Sequence, residues 1–192
     1  MGKGKKMFSG IRDAKMSTDS NYARRGHYLA MITKMKADET RAGDDFVAVE
    51  MTILHTFEDG DGKDLQGSDD ARPEDTWHRP GEDMSHLMMA KHDSFLGNLK
   101  ACIANVLDVE PAEVTEEACI EATDPDGAQP MAGRVVELKN RVITTRAGKP
   151  FTKVSYAREV DPSEYAEVID QKVLARYVPD LDERLAEEGA DD

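Results

Sequence analysis

Apolar and polar positions alternate over FVAVEMTIL, residues 46–54. Val47, Val49, Met51 and Ile53 fall on one face, and Phe46, Ala48, Glu50 and Thr52 on the other, which is the pattern of a half-buried strand. HYLAMITKM, residues 27–35, is rich in β-formers and apolar on both faces. The turn Thr40-Arg41-Ala42-Gly43 joins the two stretches into a hairpin. SHLMMAKH, residues 85–92, predicts a third strand. The period then changes. Phe95, Leu99, Cys102, Ile103 and Val106 recur at helical spacing behind Asp93 or Ser94 as the cap, and Pro111 suits the first turn of a short second helix. Alternation returns in GRVVELKNRVITTRAGKPFTKVSYARE, residues 133–159, as a second hairpin. Val136, Leu138 and Val142 share one face of its first arm, and Glu137, Lys139 and Arg141 the other. Asp161-Pro162-Ser163 opens a last helix, with Tyr165, Val168, Ile169 and Tyr177 on one stripe and Pro179 as its end.

Three strands, a helix and two more strands make a mainly β chain in the order of the OB-fold, a five-stranded, partly open β-barrel. The expected organisation is a basic arm over 1–25, the OB-fold domain over 26–160, and a C-terminal helix with an acidic tail over 161–192. Inside the domain, residues 58–83 are rich in Gly, Asp and Pro and lack a period, and they predict a long acidic loop. No run of apolar residues approaches the length that spans a membrane. The basic start lacks the apolar stretch of a secretory leader, so a cytoplasmic protein is expected. Cys102 and Cys119 have no metal-ligand spacing and read as reduced, buried thiols.

The formal net charge of −14 argues against a nucleic-acid partner, but its distribution argues for one. Residues 1–41 carry ten Lys/Arg against four Asp/Glu, and residues 134–158 carry seven against one. The remainder is strongly acidic. Each basic segment contains one copy of TRAG, at Thr40–Gly43 and at Thr145–Gly148, and each copy leads to a phenylalanine, Phe46 or Phe151. In the OB-fold the loops joining strands 1–2 and 4–5 border the oligonucleotide site. Two arginine tips there would clamp one groove. Cations for phosphates and flat rings for bases are what an unpaired strand requires. The candidate nucleic-acid-binding residues are Lys34, Lys36, Arg41, Phe46, Lys139, Arg141, Arg146, Lys149, Phe151 and Lys153. The plainer reading is that TRAG is a good turn sequence in any charged hairpin, with each phenylalanine packed on a neighbour. Trp77 reads as a packing residue or loop anchor.

Catalytic patterns are not found. The chain has no GxGxxG, GKS/T or HExxH, and His78, His86 and His92 are irregularly spaced. Asp59-Gly-Asp61-Gly resembles the start of a calcium loop but carries Lys63 at a ligand position. No catalytic residue, metal site or cofactor is therefore expected. The reading is a non-enzymatic binder of single-stranded DNA. Its rivals are a protein-interaction or assembly module with charged hairpins and a small nuclease-associated or metal-dependent enzyme. The acidic tail is either a solvated terminus or a segment that occupies the groove or recruits partners.

Three stretches, GHYLAMITKMKADETRAGDDFVAVEMTIL, FLGNLKACIANVLDV and AGRVVELKNRVITTRAGKPFTKVSY, together resemble bacteriophage OB-fold single-stranded DNA-binding proteins. The match runs through Gly26, Tyr28, Thr40-Arg41, Gly43, Phe46, Gly97-Asn98, Ala132-Gly133 and Thr145 to Thr152. The resemblance covers roughly residues 10–158. It implies largely sequence-independent DNA binding in phage replication or recombination, inside an infected cell. It also implies replication or recombination proteins as possible partners of the acidic tail. Two features depart from the family pattern: the long 58–83 loop, and Asp44-Asp45 in the first turn.

Overall fold

A computed structural model describes residues 22–57, 77–145 and 148–178. The strands are β1 (Gly26–Glu39), β2 (Asp45–Thr56), β3 (Asp83–Met89), β4 (Val135–Thr144), β5 (Pro150–Lys153) and β6 (Tyr156–Glu159). The helices are α1 (Phe95–Leu107), α2 (Glu116–Thr123) and α3 (Gln171–Tyr177). Among the described residues the strands form one open antiparallel sheet in the order β3-β2-β1-β4-β5, with β6 also on β4. Residues 1–21 of the basic arm, residues 58–76 of the acidic loop, and residues 179–192 lie outside the described residues.

The alternation read in the sequence is the register of this sheet. Val47, Val49, Met51 and Ile53 of β2 join Tyr28, Ala30, Ile32 and Met35 of β1, Met84 and Met88 of β3, and Val136 and Leu138 of β4 in one core. Helix α1 closes that core with Leu99, Cys102, Ile103 and Val106, the positions picked out by helical spacing. Tyr28 explains the Gly-x-Tyr opening of β1. Its ring folds back over Gly26, where a Cβ would collide with the hydroxyl oxygen, so only glycine fits.

Three expectations are corrected. Where a five-stranded, partly open barrel was expected, the described residues form an open sheet of six strands that does not close into a barrel. The second arm of the second hairpin is interrupted: β5 pairs Arg141 with Lys153, β6 pairs Leu138 with Tyr156, and a register shift follows between Glu137 and Leu138. A hydrogen bond from Lys139 N to Ser155 O (2.9 Å) carries the ladder across the gap, so β5 and β6 run end to end beside β4. Second, the C-terminal helix is two pieces. A 3-10 turn, Pro162–Tyr165, is capped by Asp161, and α3 is capped by the Asp170 carboxylate, which accepts from Lys172 N and Val173 N. Val168 leaves the apolar stripe and is exposed. Third, the 58–83 loop ends earlier than expected, because Asp83 already belongs to β3. Trp77 is half-buried and His78 is buried, its Nε2 lying 3.1 Å from Tyr22 O and 3.3 Å from Arg24 N.

β3 and β6 meet through side chains. The Tyr156 hydroxyl lies 3.0 Å from His86 Nδ1 and is hydrogen-bonded to the Cys102 thiol of α1. The Asn105 amide of α1 donates to Tyr156 O at 2.7 Å. Burial raises the Cys102 thiol to about 12 and lowers His86 from 6.5 to about 4. The unfolded chain therefore takes up the His86 proton at a higher pH than the folded chain. Stability contributed by neutral His86 is complete above about pH 6.5 and is lost as the pH falls through about 4. His86 keeps part of its surface exposed, so the loss is expected to be ~2 kcal/mol rather than the full linkage value. Thermal melts between pH 7 and pH 4 check this. His86→Phe should flatten the dependence, and an undiminished slope in that variant would place the acid sensitivity elsewhere.

The other face of the sheet has its own cover. Val160, Ile169 and Leu174 from the C-terminal segment pack on Leu29 of β1, Leu54 of β2 and Val135 of β4, all six buried. This strap, residues 160–178, lies across the middle of the face that carries the candidate binding residues.

Candidate nucleic-acid interface

The two TRAG tips are built alike, for reasons of turn geometry. Thr40 N donates to Asp44 O (2.8 Å), Gly43 N to Thr40 O (3.0 Å), and Asp44 N to Thr40 Oγ1 (3.1 Å). At the second tip Thr145 N donates to Lys149 O (2.9 Å), Gly148 N to Thr145 O (2.9 Å), and Lys149 N to Thr145 Oγ1 (3.1 Å). Gly43 and Gly148 take φ of 83° and 74°. The threonine and the glycine of the repeat are thus the parts that close the loop.

The tips leave the β1–β4 ladder at opposite ends. β4 pairs with Gly26–Met31 at the start of β1, whereas the first tip follows Glu39 at its far end and the second follows Thr144 beyond Gly26. The expected two-sided clamp is therefore not built at one end of the sheet. What the candidate residues share is a face, and on that face they fall into two groups.

The first group is largely neutralised or sunk. Lys36 Nζ lies 2.8 Å from Glu50 Oε1, and that hydrogen bond raises its ammonium above the usual range. Lys34 stands opposite Glu50 in the β1–β2 register and is half-buried. Phe46 is half-buried opposite Met89. Arg41 is exposed at the tip, but nearby Asp44 binds Lys91 at 2.7 Å. Asp44 of the acidic pair in the first turn thus binds a lysine of the chain itself.

The second group forms a continuous strip. On the outer side of β4 stand Lys139, Arg141 and Ile143. The register places Lys153 across from Arg141, and Phe151 across from Ile143. Ile143 is 42% exposed and Phe151 51%, an apolar pair in solvent beyond the reach of the core. Lys149 is exposed at the tip, and Arg146 lies outside the described residues. From Glu137 to Ile143 the strip runs roughly 20 Å at the usual rise per strand residue.

Its inner end contains residues that the sequence did not single out. His27 lies across from Lys139 in the register and stacks on Phe57, with centroids 4.1 Å apart and planes at 30°. Tyr165 of the strap and His55 meet Phe57 edge-on, at 5.7 and 4.8 Å. Beside this half-exposed aromatic cluster, Glu137 binds His27 Nε2 at 2.8 Å, Lys139 Nζ at 3.1 Å and Arg158 Nε at 3.4 Å. Arg158 also holds Glu164 of the strap through both terminal nitrogens (3.2 and 2.9 Å) and the Tyr165 hydroxyl at 3.3 Å. The signal for Glu137 was its place as the one acidic residue of a basic segment. For the rings there was none, because the β1–β2 register sets Phe57 beside His27 and only the docked strap adds Tyr165.

His78 and His86 are used inside the fold, and among the described residues no group of three metal-ligating side chains assembles. No helix among them is long and apolar enough to cross a membrane. No protein-family model matches the chain, and no curated protein is significantly similar to it.

Proposed function

We propose that this chain binds single-stranded DNA without catalysis and with little sequence preference, as an accessory to phage replication or recombination. The observation that carries the reading is the outer strip of β4 and β5. It sets Lys139, Arg141, Lys149 and Lys153 around an exposed Ile143–Phe151 pair, with His27 and Phe57 at its inner end. Bases stack on apolar and aromatic surface regardless of sequence, and the cations follow the phosphates. The fold supports the reading as well. β1 pairs with both β2 and β4, and a helix follows the third strand. That connectivity supports an OB-fold reading, with the third strand and the last meeting by side chains instead of a ladder. The acidic tail would then recruit replication or recombination proteins.

The test is a titration of fluorescent oligo-dT at several salt concentrations. Three or four phosphates neutralised along the strip predict a slope of log K against log salt of about −2 to −3. A protein-assembly role for the exposed apolar pair predicts no binding even at low salt, and hydrolysis of the probe with added divalent metal would favour an enzyme.

A further inference from the structure

We propose that Glu137 restrains the affinity of this strip: it holds the inner cations on an internal anion, so the chain binds a single strand more weakly than its cations alone would allow. The inference rests on the proposed DNA reading and concerns the regulation of that same surface. Three cationic or protonatable groups from three strands, His27 of β1, Lys139 of β4 and Arg158 of β6, converge on one carboxylate within 3.4 Å. The Glu137 side chain is 11% exposed, whereas Lys139 and Arg158 are 51% and 47% exposed. The carboxylate is thus fixed beneath, and its partners reach the surface above it. Burial works against its charge, but the hydrogen bonds from Lys139 and His27 outweigh burial and hold its pKa below the usual carboxylate value. Glu137 is therefore ionised wherever the protein works near neutrality.

A phosphate arriving at Lys139 or Arg158 meets a cation already shared with a fixed negative charge. The same arithmetic continues at Arg158, whose outer nitrogens are held by Glu164. Neither carboxylate has to move for DNA to bind, because both long side chains can turn outward while Glu137 stays in place. Each carboxylate subtracts from the local field that an approaching phosphate experiences. A site built this way binds a strand more weakly, and with a shallower dependence on salt, than its count of cations would give.

The experiment measures oligo-dT anisotropy for the full chain, comparing wild type with Glu137→Gln and Glu164→Gln, and a thermal melt of each. Glutamine keeps the shape and an acceptor for Lys139 while removing the charge. Glu137→Gln is expected to bind roughly three- to tenfold tighter at low salt, the effect of one unit charge at a few ångströms near a surface. Its salt slope should steepen by about 0.7, the single-strand value for one more cation that replaces counterions. Glu164→Gln, which removes one of the two carboxylates on Arg158 and leaves Glu137 in place, should give a smaller gain in the same direction. Unchanged or weaker binding by Glu137→Gln at an unchanged melting temperature overturns the inference and makes Glu137 a positioning residue. If Glu137→Gln does not fold, Glu164→Gln decides alone, and no gain there overturns it. Wild type that fails to bind at low salt rejects the DNA reading itself, an outcome separate from a wild type that binds and a variant that fails to improve.

Discussion

Replacing Phe151 by alanine is expected to weaken oligo-dT binding by about five- to hundredfold, the loss of ~1–3 kcal/mol of stacking per base. The melting temperature should stay within roughly a degree, because a surface substitution away from caps and core changes stability by no more than ~0.5 kcal/mol. Phe151 is half-exposed, on a two-stranded ribbon that extends past the core, and its cross-strand neighbour Ile143 is exposed too. Lost binding with intact stability identifies the ring as a contact surface. Lost stability with intact binding would instead make Phe151 a packing residue and remove the apolar half of the proposed site. Ile143→Ala should act in the same direction with a smaller effect, since an aliphatic side chain offers a base less flat surface.

The largest stability effect is expected at the strap. Ile169→Ala should cost ~2–4 kcal/mol in denaturant unfolding, in the range of buried isoleucine truncations. Ile169 is 2% exposed and packs in a cluster with Leu29, Leu54, Val135, Val160 and Leu174. If the strap were a detachable cover, the substitution would leave the unfolding midpoint nearly unchanged and would raise DNA affinity. Lifting the strap would return six buried apolar residues to water, at ~1.5–3 kcal/mol for each side chain fully re-exposed. That total exceeds what a short single strand offers in exchange. The strap therefore stays in place, and a bound strand follows the β4–β5 strip beside it.

Much of the fold was legible because burial imposes period. The alternation of Val47, Val49, Met51 and Ile53 and of Val136 and Leu138, and the helical spacing of Leu99, Cys102, Ile103 and Val106, each describe one face of one element, and these positions form the core; Val142, read on the same face, lies past the core and is only half-buried. What one element cannot state is its partner. The apolar stripe of the C-terminal segment was visible, but nothing in it says that it covers the outer face of the sheet at Leu29 and Leu54. Whether a lysine is free depends on cross-strand register. Lys36 and Glu50 are fourteen positions apart in sequence and make an ion pair at 2.8 Å. A count of basic residues therefore overstated the first hairpin. The repeated TRAG was legible as a turn, and its threonine and glycine act as turn residues. The idea that two similar tips face each other required the β1–β4 pairing, which sends them to opposite ends. Gln129 is a further case. Its side-chain amide replaces a strand on β1, accepting from Met35 N and donating to Met35 O, both at 2.9 Å, where β1 extends past the end of β4. A lone glutamine in a turn-rich stretch carries no sequence signal for that role.

The account depends on one strip of surface. Titrating oligo-dT into isotopically labelled protein and following backbone amide shifts by NMR tests it most directly. The account predicts that perturbations concentrate at Lys139–Thr144 and Lys149–Lys153, with a second group at His27 and Phe57. It also predicts that α1 and α2, on the other side of the sheet, stay still. Shifts gathered on the helices, or a spectrum unchanged by saturating oligo-dT at low salt, would contradict it.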